Sequence, residues 1–388
     1  MFEMINSTLI ALFSSMLAVL WIHPRLVKIA HMKNIVDNPD ARKLQKSPVP
    51  VLGGVAVFFG IVLGLALTST YTNCSSLITI IAALMIMLYV GTMDDIVNLS
   101  AKIRFIIEIG VVLMLIYSTD RSIDDLHGLW GVGSFCNGIS IPLTVFATVG
   151  IINALNLIDG VNGLSSGYSI MASFVFGVYF YLADNAPMLI LASVSIGALI
   201  PFFLHNVIGR TSKMFIGDGG TLVMGVVMST FVVNILHSNS PTVDILPESF
   251  GLVPFTLAVM SVPVFDTLRV MLSRIIRGVS PFHPDKTHLH HYFLELGFSH
   301  SGTTLSILTL NILVIVCQWL VWYLGGSVDL QLYVVIGLGI AITLGFSQLA
   351  KTANNENILK RILRRVGRAT HFERKGAFLF LQRLIDKI

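Results

Sequence analysis

The chain has 388 residues, 54% hydrophobic and only 12% charged, with a mean hydropathy of +0.82. A water-soluble domain carries about 25% charged residues, so the composition excludes an ordinary soluble globule. The net charge of +4 is modest, and its distribution, described next, calls for no nucleic-acid partner.

Apolar stretches near the length of a bilayer crossing recur at 5–22, 51–70, 76–93, 103–118, 138–155, 164–184, 187–206, 221–238, 250–272, 303–324 and 330–350. They predict an all-α, polytopic integral membrane protein with about eleven transmembrane helices. The first stretch has no cleavage-site pattern and is continued by Trp21 and Ile22, so it reads as an anchor rather than a removed signal. The stretch at 103–118 is short and contains Glu108. With the N-terminus outside, every lysine and arginine except Arg121 falls in an inner segment, the asymmetry expected of cytoplasmic loops. Residues 1–350 then form one transmembrane domain. Residues 351–388 mix Arg and Lys with Ile, Leu and Phe, as a basic amphipathic tail on an anionic inner leaflet would; a solvated tail is the alternative.

Polar clusters close several of these stretches, all on the inner face. The first inner loop carries Lys46 and runs through Pro48-Val49-Pro50 into Gly53-Gly54, where prolines fix an extended entry and glycines open the next helix. Asp94-Asp95 end the third stretch. A single Asp there would be an ordinary helix end, but adjacent carboxylates repel and favour a shared proton or a cation. In Asn153-Ala154-Leu155-Asn156-Leu157-Ile158-Asp159-Gly160, helical geometry would put Asn153, Asn156 and Asp159 on one face. Polar groups so placed point at protein, water or ligand rather than lipid, and helix–helix hydrogen bonding is the competing reading. Phe215-Ile216-Gly217-Asp218-Gly219-Gly220 enters the eighth stretch. There, glycines and helix N-terminal amides suit a phosphate, and Asp218 suits a divalent ion bridging it. The loop Pro281–His291 holds His283, His288, His290 and His291. Imidazoles donate to phosphate oxygens and move protons near neutral pH; zinc is the alternative, although the loop has no cysteine. Arg274 and Arg277 add charge to this face, with membrane anchoring as the competing role. Glu108 and Asp266 are acids within spans and are expected to pair with a loop Arg or Lys. Cys74, Cys136 and Cys317 have no metal-type spacing, and pairing of Cys74 with Cys136 stays open. Intramembrane carboxylates also occur in transporters, but there they sit near the midplane of related repeats, and no repeat is visible here.

The order Asp94-Asp95, Asn153-x-x-Asn156-x-x-Asp159-Gly160, Gly217-Asp218-Gly219-Gly220-Thr221 and His288-x-His290-His291 resembles the polyprenyl-phosphate N-acetylhexosamine-1-phosphate transferases over about residues 20–350. The phrase Ser280–His291 is similar to the branch that uses UDP-N-acetylglucosamine, whereas the phospho-N-acetylmuramoyl-pentapeptide branch usually carries three consecutive histidines. The resemblance implies a bacterial inner-membrane enzyme with a cytoplasmic-face active site, transferring a sugar phosphate to undecaprenyl phosphate with release of UMP. It implies magnesium, with manganese as a substitute, held by Asp218 and Asn156. It gives Asp94, Asp95, Asp159 and His288 catalytic roles, and gives Lys46, Asn153, Asn162, Phe215, Arg274, His290 and His291 substrate contacts, with Phe215 stacking on uracil. Asn162 stands where bacterial members usually carry a second Asp, and an amide cannot act as a base. A homodimer is compatible with this reading, and the sequence leaves oligomeric state open.

Overall fold

A computed structural model of the chain describes residues 2–39, 47–68, 77–241, 246–247, 249–281, 285–351, 358–371 and 376–387. Lys46 and Cys74 lie outside the described residues; Cys136 and Cys317 are free thiols.

A helix occupies each predicted stretch. They are α1 (Phe2–Lys33), α2 (Gly53–Thr68), α3 (Leu77–Val97), α4 (Ala101–Thr119), α5 (Asn137–Leu157), α6 (Leu164–Leu182), α7 (Ala186–Val207), α8 (Gly217–Leu236), α9 (Leu252–Val259), α10 (Ser261–Ile276), α12 (His300–Tyr323) and α13 (Val328–Lys351). The short α11 (Leu289–Glu295) follows the histidine loop, and α14 (Ile358–Ala369) and α15 (Gly376–Ile385) form the tail. Strands β1 (Val36–Asp37) and β2 (Val49–Pro50) pair antiparallel, Val36 opposite Pro50.

Among the described residues, 7 helices are long and apolar enough to cross a membrane, and α9 with α10 makes an eighth if taken as one span bent by 75°. The helices α2, α4 and α6 fill the other predicted stretches but are too short or too polar to count in the same way. Thus α4 carries Lys102, Arg104 and Glu108.

The chain forms two compact units. The first comprises Met1–Arg121, Ser165–Phe231 and Arg374–Ile388, and the second Ser122–Leu164 and Val232–Glu373. In the first, α1 packs along α2 and α7, α2 meets α3, and α3 meets α4. The start of α8 lies backbone to backbone against both α2 and α3. A Cβ at Gly54 would overlap the main chain of Gly220, and one at Gly91 would overlap that of Gly219. That approach brings the end of α3, with its acid pair, against the first turn of α8. Behind it, Phe231 packs on Phe176 and Phe180 with ring centroids 5.7 and 5.4 Å away.

The second unit is organised by an interrupted helix. Between α9 and α10 the chain turns at Met260, leaving carbonyls of α9 and amides of α10 without helical partners. In hydrocarbon such groups each cost several kcal/mol. Asn311 of α12, fully buried, supplies the missing partners. Its Oδ1 accepts from the Ser261 hydroxyl at 2.9 Å and the Val262 amide at 3.0 Å, and its Nδ2 donates to the carbonyls of Ala258 and Val259 at 3.4 and 3.0 Å. The bend directs α10 past α5 and α13.

The tail is two helices rather than one, divided between the units. In the second unit, Gly367 of α14 packs on Phe298, and Thr370 exchanges hydrogen bonds of 3.0 and 2.9 Å with Ser299. Ile358, Leu359, Ile362 and Val366 of α14 are exposed, an apolar stripe beside Arg361, Arg364, Arg365 and Arg368. The last helix, α15, belongs to the first unit.

Replacing Asn311 with Leu keeps volume but strips the bend of its partners. We expect a loss of about 3 kcal/mol, since each stranded buried polar group costs about 1–3 kcal/mol. Thermal unfolding in detergent reads it; a wild-type midpoint would mean that the break satisfies itself.

Candidate active site

In the first unit the acid pair and the Gly-Asp-Gly-Gly turn come together. The Asp95 carboxylate accepts the amides of Asp218 at 3.1 Å and Gly219 at 3.4 Å, so it caps the opening of α8 and favours its positive end. Asp94 points the other way. Its Oδ1 accepts the Leu99 amide at 2.7 Å, closing the turn into α4. Its Oδ2 meets Arg104 Nη1 at 3.0 Å. The same Arg104 nitrogen lies 3.2 Å from Asp218 Oδ2, and its Nε lies 3.5 Å from buried Glu108. Phe215 is half-buried just before α8; its amide donates to the Pro50 carbonyl at 2.8 Å and Lys213 Nζ lies 5.7 Å from its ring centre.

In the second unit α5 ends at Leu157 with Ile158 as its cap, so only Asn153 and Asn156 share its helical face. Asp159 belongs to the turn that follows, which corrects the expectation of one continuous polar face. The turn forms because the Asp159 amide bonds to the Asn156 carbonyl at 3.2 Å and the Gly160 amide to that of Ile158 at 2.8 Å. The Asn153 side chain donates to its own helix at Val149, 2.9 Å away. Thr304 donates to the Asn162 carbonyl at 2.9 Å. His290 lies directly on Gly160, where a Cβ would overlap the imidazole; only glycine admits the ring there. The turn of Asp159 and the histidine helix therefore form one cluster.

That cluster rests on Asp266 of α10. Its carboxylate lies 3.0 Å from His288 Nδ1, accepts the Leu289 amide at 3.1 Å, and pairs with Arg269 at 2.6 Å. Arg269 also donates to the Thr287 carbonyl at 2.5 Å. Asp266 thus caps α11 from another helix and sets the orientation of His288. His288 and His290 lie parallel, 5.9 Å apart, and His291 follows at 4.3 Å from His290. Burial first, then the neighbouring imidazoles of His291 and His288, push His290 down to about 3. Burial, with His288 and Lys286 beside it, also lowers His291. His290 is therefore neutral near pH 7 and has a hydrogen bond to offer rather than a positive charge.

Arg274 is engaged within the protein. Its guanidinium holds Asp285 at 2.9 Å and the Pro281 carbonyl at 2.6 Å, and Arg277 joins the same carboxylate at 3.0 Å. Arg274 is only 3% exposed, so its first role is to fold the histidine loop, and the expected substrate contact has to compete with Asp285. Arg277, for which membrane anchoring was the competing reading, joins it on Asp285.

Sequence reasoning left Arg104 as one of many inner positive charges, and treated Glu108 and Asp266 as partners of loop cations. Both acids do pair with arginine, but with one on their own helix, Arg104 and Arg269. The i, i+3 and i, i+4 spacings of Asp266-Arg269 and Arg104-Glu108 were the available signal.

Among the described residues no three His, Cys, Asp or Glu side chains are grouped to hold a metal. This donor set does fit magnesium, which takes one or two carboxylates and completes its shell with water and substrate phosphates. Asp94 Oδ2 and Asp218 Oδ2 share one cationic neighbour, Arg104, so their charges already converge as a divalent ion requires.

The Asp285 clamp yields a prediction. Burial alone would raise this carboxyl, but hydrogen bonds from Arg274, Thr287 and Arg277 hold it well below the usual carboxylate range. A depressed folded value stabilises fully above the ordinary 3.8 and loses the effect as pH falls through the folded value. We expect Asp285→Ala to cost about 3 kcal/mol by leaving Arg274 buried without its carboxylate. Unfolding midpoints of the two proteins should stay separated from about pH 5 to 7 and converge below about pH 4; a separation that widens in acid would refute the clamp.

A family model described as glycosyl transferase family 4 matches residues 77–236. The probable undecaprenyl-phosphate N-acetylglucosaminyl 1-phosphate transferase of Bacillus subtilis (strain 168) is 32% identical over 299 residues, covering 77% of this chain and 80% of the relative. The undecaprenyl-phosphate alpha-N-acetylglucosaminyl 1-phosphate transferase of Yersinia pestis is 29% identical over 280 residues, 70% of this chain and 73% of its own length. That of Escherichia coli (strain K12) is 27% identical over 276 residues, with 70% and 72% covered. The acid pair, the Gly-Asp-Gly-Gly turn and its Asp95 cap all fall inside the matched region, and the chain belongs to glycosyl transferase family 4.

Proposed function

We propose that the chain transfers N-acetylglucosamine 1-phosphate from UDP-N-acetylglucosamine to undecaprenyl phosphate, releasing UMP and starting a lipid-linked cell-surface glycan. The observation that carries this reading is the gathering of Asp94, Asp95 and Asp218 at the junction of α3 and α8, with Arg104 paired to Asp94 and Asp218. Such a junction of carboxylates, helix N-terminal amides and one guanidinium suits phosphoryl transfer at a membrane surface. The donor and acceptor follow from the names of the relatives, with the Ser280–His291 phrase favouring the N-acetylglucosamine branch.

In the reaction an oxygen of the lipid phosphate bonds to the β-phosphorus of the donor. The bond from that phosphorus to the bridging oxygen breaks, and UMP leaves with the oxygen. A phosphomonoester is largely dianionic at pH 7, its second ionisation lying near 6, so no base is obligatory and direct displacement suffices. Magnesium bound through Asp218 would supply Lewis-acid stabilisation of the transferring phosphoryl group; Asn156 is assigned to it by family resemblance alone. Asp95 fixes the first turn of α8, and with it Asp218, through the amides of Asp218 and Gly219, and Asp94 orients Arg104, whose charge offsets anionic repulsion. Phe215 offers its ring to uracil beside Lys213. His288, oriented by Asp266, and neutral His290 and His291 donate hydrogen bonds to the sugar phosphate, and Asp159 lies in the turn beneath His290. The same reading has eleven spans, the N-terminus outside, the site at the cytoplasmic face of a bacterial inner membrane, and α14 on an anionic leaflet.

Purified protein with undecaprenyl phosphate and magnesium should release UMP from UDP-N-acetylglucosamine in preference to UDP-N-acetylgalactosamine and UDP-N-acetylmuramoyl-pentapeptide. Release with no lipid requirement, or none with any donor, defeats the proposal. Asp218→Asn should lower kcat at least about a hundredfold, the scale of losing a group that stabilises transition-state charge; near-normal turnover at saturating magnesium removes it as a ligand. Asn162→Asp should retain activity, and a large loss would mark the amide as a specific substrate contact.

A further inference from the structure

The last helix of the chain meets the segment that delivers Phe215 and Asp218. Just past α15, Asp386 Oδ1 accepts the amides of Arg210, Thr211 and Ser212 at 2.9, 3.1 and 3.1 Å, and the Ser212 hydroxyl at 2.8 Å. One turn earlier, Gln382 donates to the Ile208 carbonyl at 3.0 Å. Successive amides converging on one anion make a concave nest, and hydrogen bonds to a charged acceptor are the strong ones.

Ser212 is held from its other side as well. His205 Nδ1 lies 2.9 Å from its hydroxyl and His23 Nε2 2.8 Å from its carbonyl, and the two buried rings stack 4.2 Å apart. Further along, Asn206 donates to the Met214 carbonyl at 2.7 Å and Phe215 donates to Pro50 at 2.8 Å. The connection from α7 to α8 is thus pinned by α7, by α1, by β2 and, at its outermost peptides, by the chain's own tail. Here a tail carboxylate is committed to three main-chain amides at the entrance of the proposed nucleotide contact.

We propose that Asp386 is a positioning residue for the nucleotide-sugar donor: by fixing Arg210–Ser212 it sets the presentation of Lys213 and Phe215, so that docking of α15 is coupled to donor affinity. This rests on the functional reading above, in which Phe215 receives uracil. It concerns the donor, since Lys213 and Phe215 are the groups that this reading places at the nucleotide.

The test compares the protein with its Asp386→Ala and Asp386→Asn variants in lipid nanodiscs, by amide hydrogen exchange over residues 208–216 and by steady-state kinetics. In Asp386→Ala, exchange at 210–212 should speed up and KM for UDP-N-acetylglucosamine should rise about tenfold, the worth of one charged hydrogen bond. KM for undecaprenyl phosphate and kcat should stay within about twofold. Asp386→Asn, which keeps the accepting oxygen without its charge, should fall between wild type and Asp386→Ala in both readouts. Wild-type exchange in Asp386→Ala overturns the clamp. Faster exchange with unchanged donor KM, or an equal loss toward both substrates, overturns its role in donor positioning and leaves a merely structural tie. No UMP release from the wild-type protein would instead defeat the functional reading, an outcome distinguishable because the exchange measurement does not depend on turnover.

Discussion

Main-chain polar groups have to be satisfied inside the protein wherever water is excluded, and in this chain the satisfaction comes from side chains of distant elements. Helices that stop or bend at depth strand their terminal amides and carbonyls. Asn311 answers the break between α9 and α10. Asp95 answers the opening of α8 and Asp266 the opening of α11. Each is a short polar residue brought from tens of positions away or more, and each makes an otherwise costly irregularity stable.

The same irregularities shape the proposed site. A helix opening capped by a carboxylate presents further amides and a neighbouring acid, Asp218, at one spot. The cap on α11 does double duty, because the carboxylate that receives the Leu289 amide also orients the His288 ring. Arg104 neutralises Asp94 and Asp218 from a neighbouring helix, and Arg269 neutralises Asp266 within its own. Close packing then determines which rings fit. The imidazole of His290 occupies the space that any side chain at position 160 would take, so the turn carrying Asp159 and the histidine helix constrain each other.

Much of the fold was legible because hydropathy follows directly from residue type. Each apolar stretch became helical, and the short one with Glu108 in it is among the three whose helices do not read as simple spans. The polar face in 153–159 was legible only up to Asn156, because a helix end depends on a main-chain turn that Ile158 and Gly160 make, and periodicity carries no information about that turn. Arg274 illustrates the opposite limit. Its charge and location suggested a phosphate contact, but its engagement with Asp285 depends on the path of a loop. Arg104 was equally opaque, one cation among many until α3, α4 and the start of α8 were seen to meet around it.

Residue order alone established a membrane-embedded, helical chain and singled out the acids, amides and imidazoles to which its chemistry is assigned, since these follow from transfer free energies and functional-group identity. Tertiary structure alone decided which carboxylate caps which helix, which arginine neutralises it, and that the last helix ties down the segment leading to Phe215 and Asp218. Those pairings join residues as far apart as 210 and 386, and at such separation no local periodicity or propensity distinguishes one partner from another; only the packed chain does.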